Sequence, residues 1–158
     1  MTLYTPTAEH LALKRLTGAW SARIKRYESR DAKAHESTGE FLARLDFGGL
    51  FLVRDMNFGM QGFQGRGLTG WDPFEKAYVG TWVDSVSPII YRTVGHFDEE
   101  GRYCEESTGP DLEGCPIRVR MVSAIVGKDQ MLFRMFHGEG DAEYLALEIE
   151  HTRRRFAT

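Results

Sequence analysis

From Ala19 to Arg155 apolar and polar residues alternate with a period of two, in about ten runs separated by turn signals. The runs fall near 19–28, 35–47, 50–59, 63–71, 77–84, 89–97, 102–108, 116–126, 130–137 and 143–155. Between them stand Gly48-Gly49, Asp72-Pro73, Asp98 to Gly101, Gly109-Pro110, Gly127-Lys128-Asp129 and Gly138 to Gly140, all residues that favour turns. Connections this short join antiparallel neighbours, so the pattern predicts an all-β, up-and-down antiparallel meander. An open sheet of about ten strands would expose two edges, and closure into a barrel removes them. Ahead of the strands, Thr7 can cap a short helix over Ala8 to Leu16, with Leu11, Leu13 and Leu16 giving an apolar face and Gly18 ending it. Such a helix is expected to cover one end of the barrel.

At 158 residues and 42% hydrophobic, the chain is long and apolar enough for one domain with a sizeable core, and we read 1–158 as that domain. Its 20 basic and 23 acidic residues are interspersed, which argues against a nucleic-acid surface. No stretch approaches the roughly 18 apolar residues of a membrane span, so a cytoplasmic protein with neither nucleic-acid nor membrane partners is expected. Cys104 and Cys115 flank Gly109-Pro110 closely enough for a bridge, but two cysteines in an unsecreted chain are usually free thiols.

Strand alternation assigns faces. Trp20, Ala22 and Ile24 share one face of the first run, and Phe41, Ala43, Leu45 and Phe47 share one face of the second. The ninth run offers Met131, Phe133, Met135 and His137, and the tenth offers Leu145, Leu147, Ile149, His151 and Arg153. If the last strand closes on the first, Arg153 reaches Trp20, where a guanidinium over an indole gains cation–π attraction. Trp20 and Arg153 are therefore read as structural.

The glycine-x-tryptophan opening at Gly18 to Trp20 and the terminal arginine resemble the structural signature of the calycin superfamily, which includes lipocalins, fatty-acid-binding proteins and haem-binding nitrobindins. The order Ala8-Glu9-His10, Leu16 to Trp20, Gly48 to Leu52, Gly67 to Asp72 and Thr81 to Ser85 is similar to that of the bacterial family catalogued as domain of unknown function 1579. Trp71 departs from that pattern, where tyrosine is expected before the aspartate. The resemblance implies a lipocalin-like barrel and no established activity.

The glycine series from Gly59 to Gly70 is followed by Trp71-Asp72-Pro73 and another strand, so it lacks the helix, lysine and hydroxyl of a phosphate loop. Barrel corners, or close approach of a ligand or a second backbone, account for it better. Trp82 and Asp84 share a face with Gly80 and Tyr78. Asp84 beside these aromatic rings is a candidate acid or base, and its alternative role is to bind the amides of the next turn.

His151 lies on the inward face, where an imidazole can ligate haem iron as the nitrobindin resemblance implies, or sit as a hydrogen-bonded core histidine. His137 is placed at a barrel mouth, and no spacing resembles a zinc site. Met56, Met60, Met121, Met131 and Met135, with the aromatic residues, are expected to line an adaptable pocket or to fill the core. Three readings follow. The first is a binding protein for a small apolar or aromatic molecule, held by Tyr78, Trp82, Met56, Met121, Phe133, Met135 and His151, with no cofactor. The second is a cavity enzyme of isomerase, cyclase or hydrolase type, using Asp84 or His137. The third is a haem protein ligated by His151. Leu42 and Val119, read as outward, offer a face on which two barrels could pair as a homodimer.

Overall fold

A computed structural model describes residues 3–58 and 62–155. Its ten strands follow the periodic runs: β1 Gly18–Arg26, β2 His35–Asp46, β3 Phe51–Phe58, β4 Phe63–Asp72, β5 Ala77–Asp84, β6 Ser87–Phe97, β7 Tyr103–Pro110, β8 Pro116–Gly127, β9 Gln130–His137 and β10 Tyr144–Arg153. Every strand pairs antiparallel with its sequence neighbour, and β1 pairs with β10, so the sheet is a closed ring without a free edge. The helix α1 spans only Ala8–Ala12 and continues as a 3₁₀ turn, Leu13–Leu16.

Closure is secured where the sequence predicted it. Trp20 lies opposite Arg153 on one side and Phe41 on the other. The Arg153 guanidinium sits 4.2 Å from the Trp20 ring, and its Nη1 donates to the Thr17 carbonyl at 3.2 Å. Gly18 is required there: its φ is +153°, and a Cβ would stand 2.5 Å from Arg153 Nη1 and 2.8 Å from the indole nitrogen.

The end carrying Gly18, Asp46, Phe97 and Tyr103 is capped by α1. Leu13, Leu16, Trp20, Phe41, Leu52, Tyr78, Tyr103 and Met131 form one buried cluster. The Tyr78 hydroxyl donates to the Glu9 carbonyl at 2.8 Å and ties helix to wall. The helical segment buries His10, Leu13 and Leu16, and the expected Leu11 is 54% exposed. Residues 10, 13 and 16 recur every third position, the period of the 3₁₀ turn that replaces the second half of the expected helix. His10 becomes a cap there, its Nδ1 accepting from the Thr7 amide at 3.1 Å.

Three face assignments are corrected. β2 ends at Asp46; Phe47 adopts φ 52°, leaves the strand and is 65% exposed, stacked edge-on with Phe51 outside the barrel. A bulge between Leu145 and Leu147 pairs Leu145 with outward Phe136, while Leu147 faces inward opposite Met135. Val119 shares the inward parity of Met121 and faces buried Ser107 across β7, so only Leu42 of the proposed pairing residues is outward and exposed. Met60 and Gly59 lie outside the described residues. Cys104 and Cys115 are both free thiols. Among the described residues, no helix is long and apolar enough to cross a membrane.

Candidate functional site

The barrel interior divides into two halves. Below, next to α1, inward side chains are buried: Trp20 is 1% exposed, Leu52 0%, Tyr103 1% and Tyr78 4%. Above, toward the mouth formed by the ends of β1, β3, β5, β7 and β9, inward Met56, Phe58, Trp82, Met121, Phe133 and Met135 are only half-buried, although Met56, Phe58 and Phe133 pack against a second buried cluster of Ala22, Ile24 and Ile149. In a closed ring an inward side chain meets solvent only through the lumen or over its rim. A hollow of about 820 Å³ lies largely on the outer face of β1 to β5, lined by outward Ala19, Glu40, Leu42, Asp55, Arg66 and Val83 with inward Phe41, Met56 and Asp84 at its edge; Trp82, Met121, Phe133 and Met135 do not line it.

The glycines of β4 shape this upper half. Gly65 and Gly67 face inward beneath the Trp82 ring, and a Cβ on Gly65 would stand 2.3 Å from its Cζ2. The indole therefore lies flat against a wall that has no side chains of its own, which is the close approach expected of glycine in a strand. Trp82 Nε1 donates to Asp84 Oδ2 at 3.0 Å, while Asp84 Oδ1 accepts from the Val86 and Ser87 amides at 3.0 and 3.1 Å. Asp84 thus clamps the β5–β6 turn and fixes the indole. His137 is on β9, four strands away around the ring, with its ring 5.9 Å from Tyr144. Burial lowers its pKa. Tyr78 belongs to the closed end, edge-on to Trp71, Phe97 and Tyr103.

Between the halves lies a group that the sequence reading overlooked. Arg54 on β3 reaches across the lumen to Glu105 on β7 and binds it bidentately, Nη1 to Oε2 at 2.7 Å and Nη2 to Oε1 at 2.9 Å. Arg54 Nη2 also donates to Thr69 Oγ1 at 2.9 Å, and Thr93 Oγ1 donates to Glu105 Oε1 at 3.1 Å. The side chains of the pair are 11% and 2% exposed. Burial alone would lower the pKa of Arg54; the Glu105 charge and hydrogen bonds outweigh it and raise that pKa. Gly80, on the strand between Thr69 and Thr93, makes room for both hydroxyls, since a Cβ there would stand 2.7 and 2.9 Å from them.

Among the described residues, the buried polar side-chain atoms without a hydrogen-bond partner are Arg54 Nε, the Tyr103 hydroxyl, Trp20 Nε1 and both nitrogens of His151. Burial, and then the Glu105 charge, push the Tyr103 phenol well above its usual pKa. His151 is 3% exposed, with Phe41 at 5.0 Å and Trp20 at 6.3 Å between ring centroids. Burial lowers its pKa to about 4, so the ring is neutral near pH 7. An imidazole is a fitting donor for haem iron, but both nitrogens are buried and the ring is packed beside Phe41 and Trp20, so in this packing the site does not fit a porphyrin. Among the described residues, no cluster of three or more His, Cys, Asp or Glu side chains could hold a metal ion.

Parity carried the signal for the overlooked pair. Arg54 shares a face with Leu52 and Met56, and Glu105 with Tyr103 and Ser107. What no local pattern supplies is that β3 and β7 face each other across the ring. No curated protein matches the chain. The model of a family described as "Protein of unknown function (DUF1579)" matches residues 5–153, from the approach to α1 through the arginine over Trp20, and the chain belongs to that family.

Proposed function

We propose that the chain is a binding protein of lipocalin-like, calycin architecture whose upper lumen holds a small apolar or aromatic molecule. The observation that carries this reading is the set of inward but half-buried Met56, Trp82, Met121, Phe133 and Met135 above a sealed floor. Apolar side chains left in contact with solvent inside a ring gain by covering one another or by covering a ligand, and a lumen this wide favours the ligand. Methionine and tryptophan suit the task, one adaptable and the other a broad flat surface. Asp84 is occupied with the turn and the indole, which favours binding over acid–base work at that carboxylate.

Titration with N-phenyl-naphthylamine, an uncharged fluorophore that brightens in apolar surroundings, tests the reading. Saturable binding at one site, weakened in Trp82→Ala with the fold retained by circular dichroism, is the expected result. Absence of saturable binding sinks it. Adding haemin to the same sample separates the haem reading, which requires a Soret band lost in His151→Ala.

A further inference from the structure

Resting on that binding reading, we propose that the lumen selects uncharged ligands, and that Glu105 sets the preference by cancelling the charge of Arg54 at the chamber floor. Among the described residues, inward charge in the middle of the barrel is confined to this pair. Arg153, the inward cation of the closed end, covers Trp20 and faces Asp129 at 3.7 Å. Arg26 and His35 share the inward parity only at the mouth, where both are exposed beside Glu28. Asp84 is likewise at the mouth, in its turn.

An arginine on the inner wall of a barrel invites the reading of an anion site. The geometry points the other way. Both Nη groups are directed at Glu105, and Nη2 is shared with Thr69, so a ligand carboxylate or sulfonate would have to displace a bidentate partner held from β7. Left beside the intact pair, the anion would be a net negative charge removed from water with nothing to neutralise it, which is strongly unfavourable. His151 offers no cation, being neutral near pH 7. An uncharged ligand meets neither obstacle. The polar floor presents it with a dipole of hydrogen-bonded side chains whose charges sum to zero, below walls of methionine and aromatic rings. Removing the charge of Glu105 while keeping its shape would expose the guanidinium and turn the same floor into an anion site.

A matched pair of fluorophores tests this: N-phenyl-naphthylamine and anilinonaphthalene sulfonate, the same scaffold without and with an anionic group. Both are titrated into the wild-type chain, Glu105→Gln and the double variant Arg54→Met/Glu105→Leu, and the sulfonate is also used to displace the uncharged probe. The wild type is expected to bind the uncharged probe at least about tenfold more tightly, from the cost of burying an unpaired charge. Glu105→Gln should reverse that order, and the double variant, with no charge at the floor, should restore it. Equal or tighter binding of the sulfonate by the wild type overturns the inference while leaving the binding reading intact. So does a wild-type ratio in a folded Glu105→Gln. If Glu105→Gln fails to fold, the double variant decides, because loss of the uncharged preference there would show that it never depended on a charge-free floor. Failure of both probes to bind the wild type overturns the binding reading and this one together.

Discussion

The helix end and the mouth end of the barrel are built by the same ten strands with the same inward alternation, yet one is packed shut and the other is not. At the helix end, Leu13 and Leu16 descend from the 3₁₀ turn after α1 into a ring of Trp20, Phe41, Leu52, Tyr78 and Tyr103, and the Tyr78 hydroxyl meets the Glu9 carbonyl. At the mouth no helix among the described residues descends, and Met56, Trp82 and Phe133 remain half-buried on the wall. The difference is therefore one of plugging and not of strand sequence. Toward the mouth the walls of β10 and β1 close over Ile24 and Ile149 by themselves, while the residues ahead of β1 plug only the helix end.

If the division is real, large-to-small substitutions should separate by end. Trp20→Ala removes a 1%-exposed indole that supports Arg153 at 4.2 Å. Its expected cost is about 3–5 kcal/mol in denaturant unfolding. Trp82→Ala, half-buried over glycines, should cost less than half of that, with its larger effect on probe affinity. Equal stability costs would erase the distinction between floor and chamber.

The boundary between the halves should be nearly as sensitive. Glu105→Ala leaves Arg54 buried and unpaired, and the expected loss is about 3–5 kcal/mol. Arg54→Met/Glu105→Leu should regain most of it, since two apolar side chains leave no charge to solvate. A double variant as unstable as the single one would mean that the pair supplies net stability and is not merely costly to break.

His151 makes a pH-dependent contribution on the closed side of that boundary. Its pKa is about 4 in the folded chain, below the ordinary value of 6.5, so the unfolded state takes up its proton first as pH falls. Stability from this group is complete above about pH 6.5 and is lost progressively down to about pH 4, by at most on the order of 3 kcal/mol. His151→Leu should flatten the stability profile across that window relative to the wild type. Parallel profiles would show that the imidazole is already solvated in the folded chain.

The sequence made the strands legible because period-two alternation and turn residues are local, and closure because Trp20 and Arg153 had to meet somewhere. The errors arose where a local rule was interrupted. Phe47 follows the last strand residue and turns out through a positive φ, a bulge at Leu145 resets the faces of β10, and Leu11 was read on an α-helical period where the chain tightens to 3₁₀. Val119 was legible after all, since Arg118 and Arg120 alternate with it on the outside. The Arg54–Glu105 pair was missed for a different reason. Neither residue was assigned a face, and their partnership spans four strand steps that only the closed ring brings face to face.

The smallest effect we expect on stability is also the sharpest test of the mouth. Gly65→Ala introduces a Cβ that would stand 2.3 Å from Trp82 Cζ2, so the indole must lift off the wall into the lumen. Overpacking of this kind typically costs about 1–3 kcal/mol, and relaxation into open space puts this position at the low end. Gly127→Ala, whose Cβ would meet nothing nearer than 3.6 Å, serves as the control and should be near neutral. In Gly65→Ala the Trp82–Asp84 hydrogen bond of 3.0 Å must lengthen or break, and the indole should move into the space that the uncharged probe occupies. Stability should therefore fall little while probe affinity falls markedly and the tryptophan emission shifts to the red. The opposite pattern, a large loss of stability with unchanged affinity, would mean that the space above Trp82 is packed as tightly as the helix end, and the two halves would no longer differ.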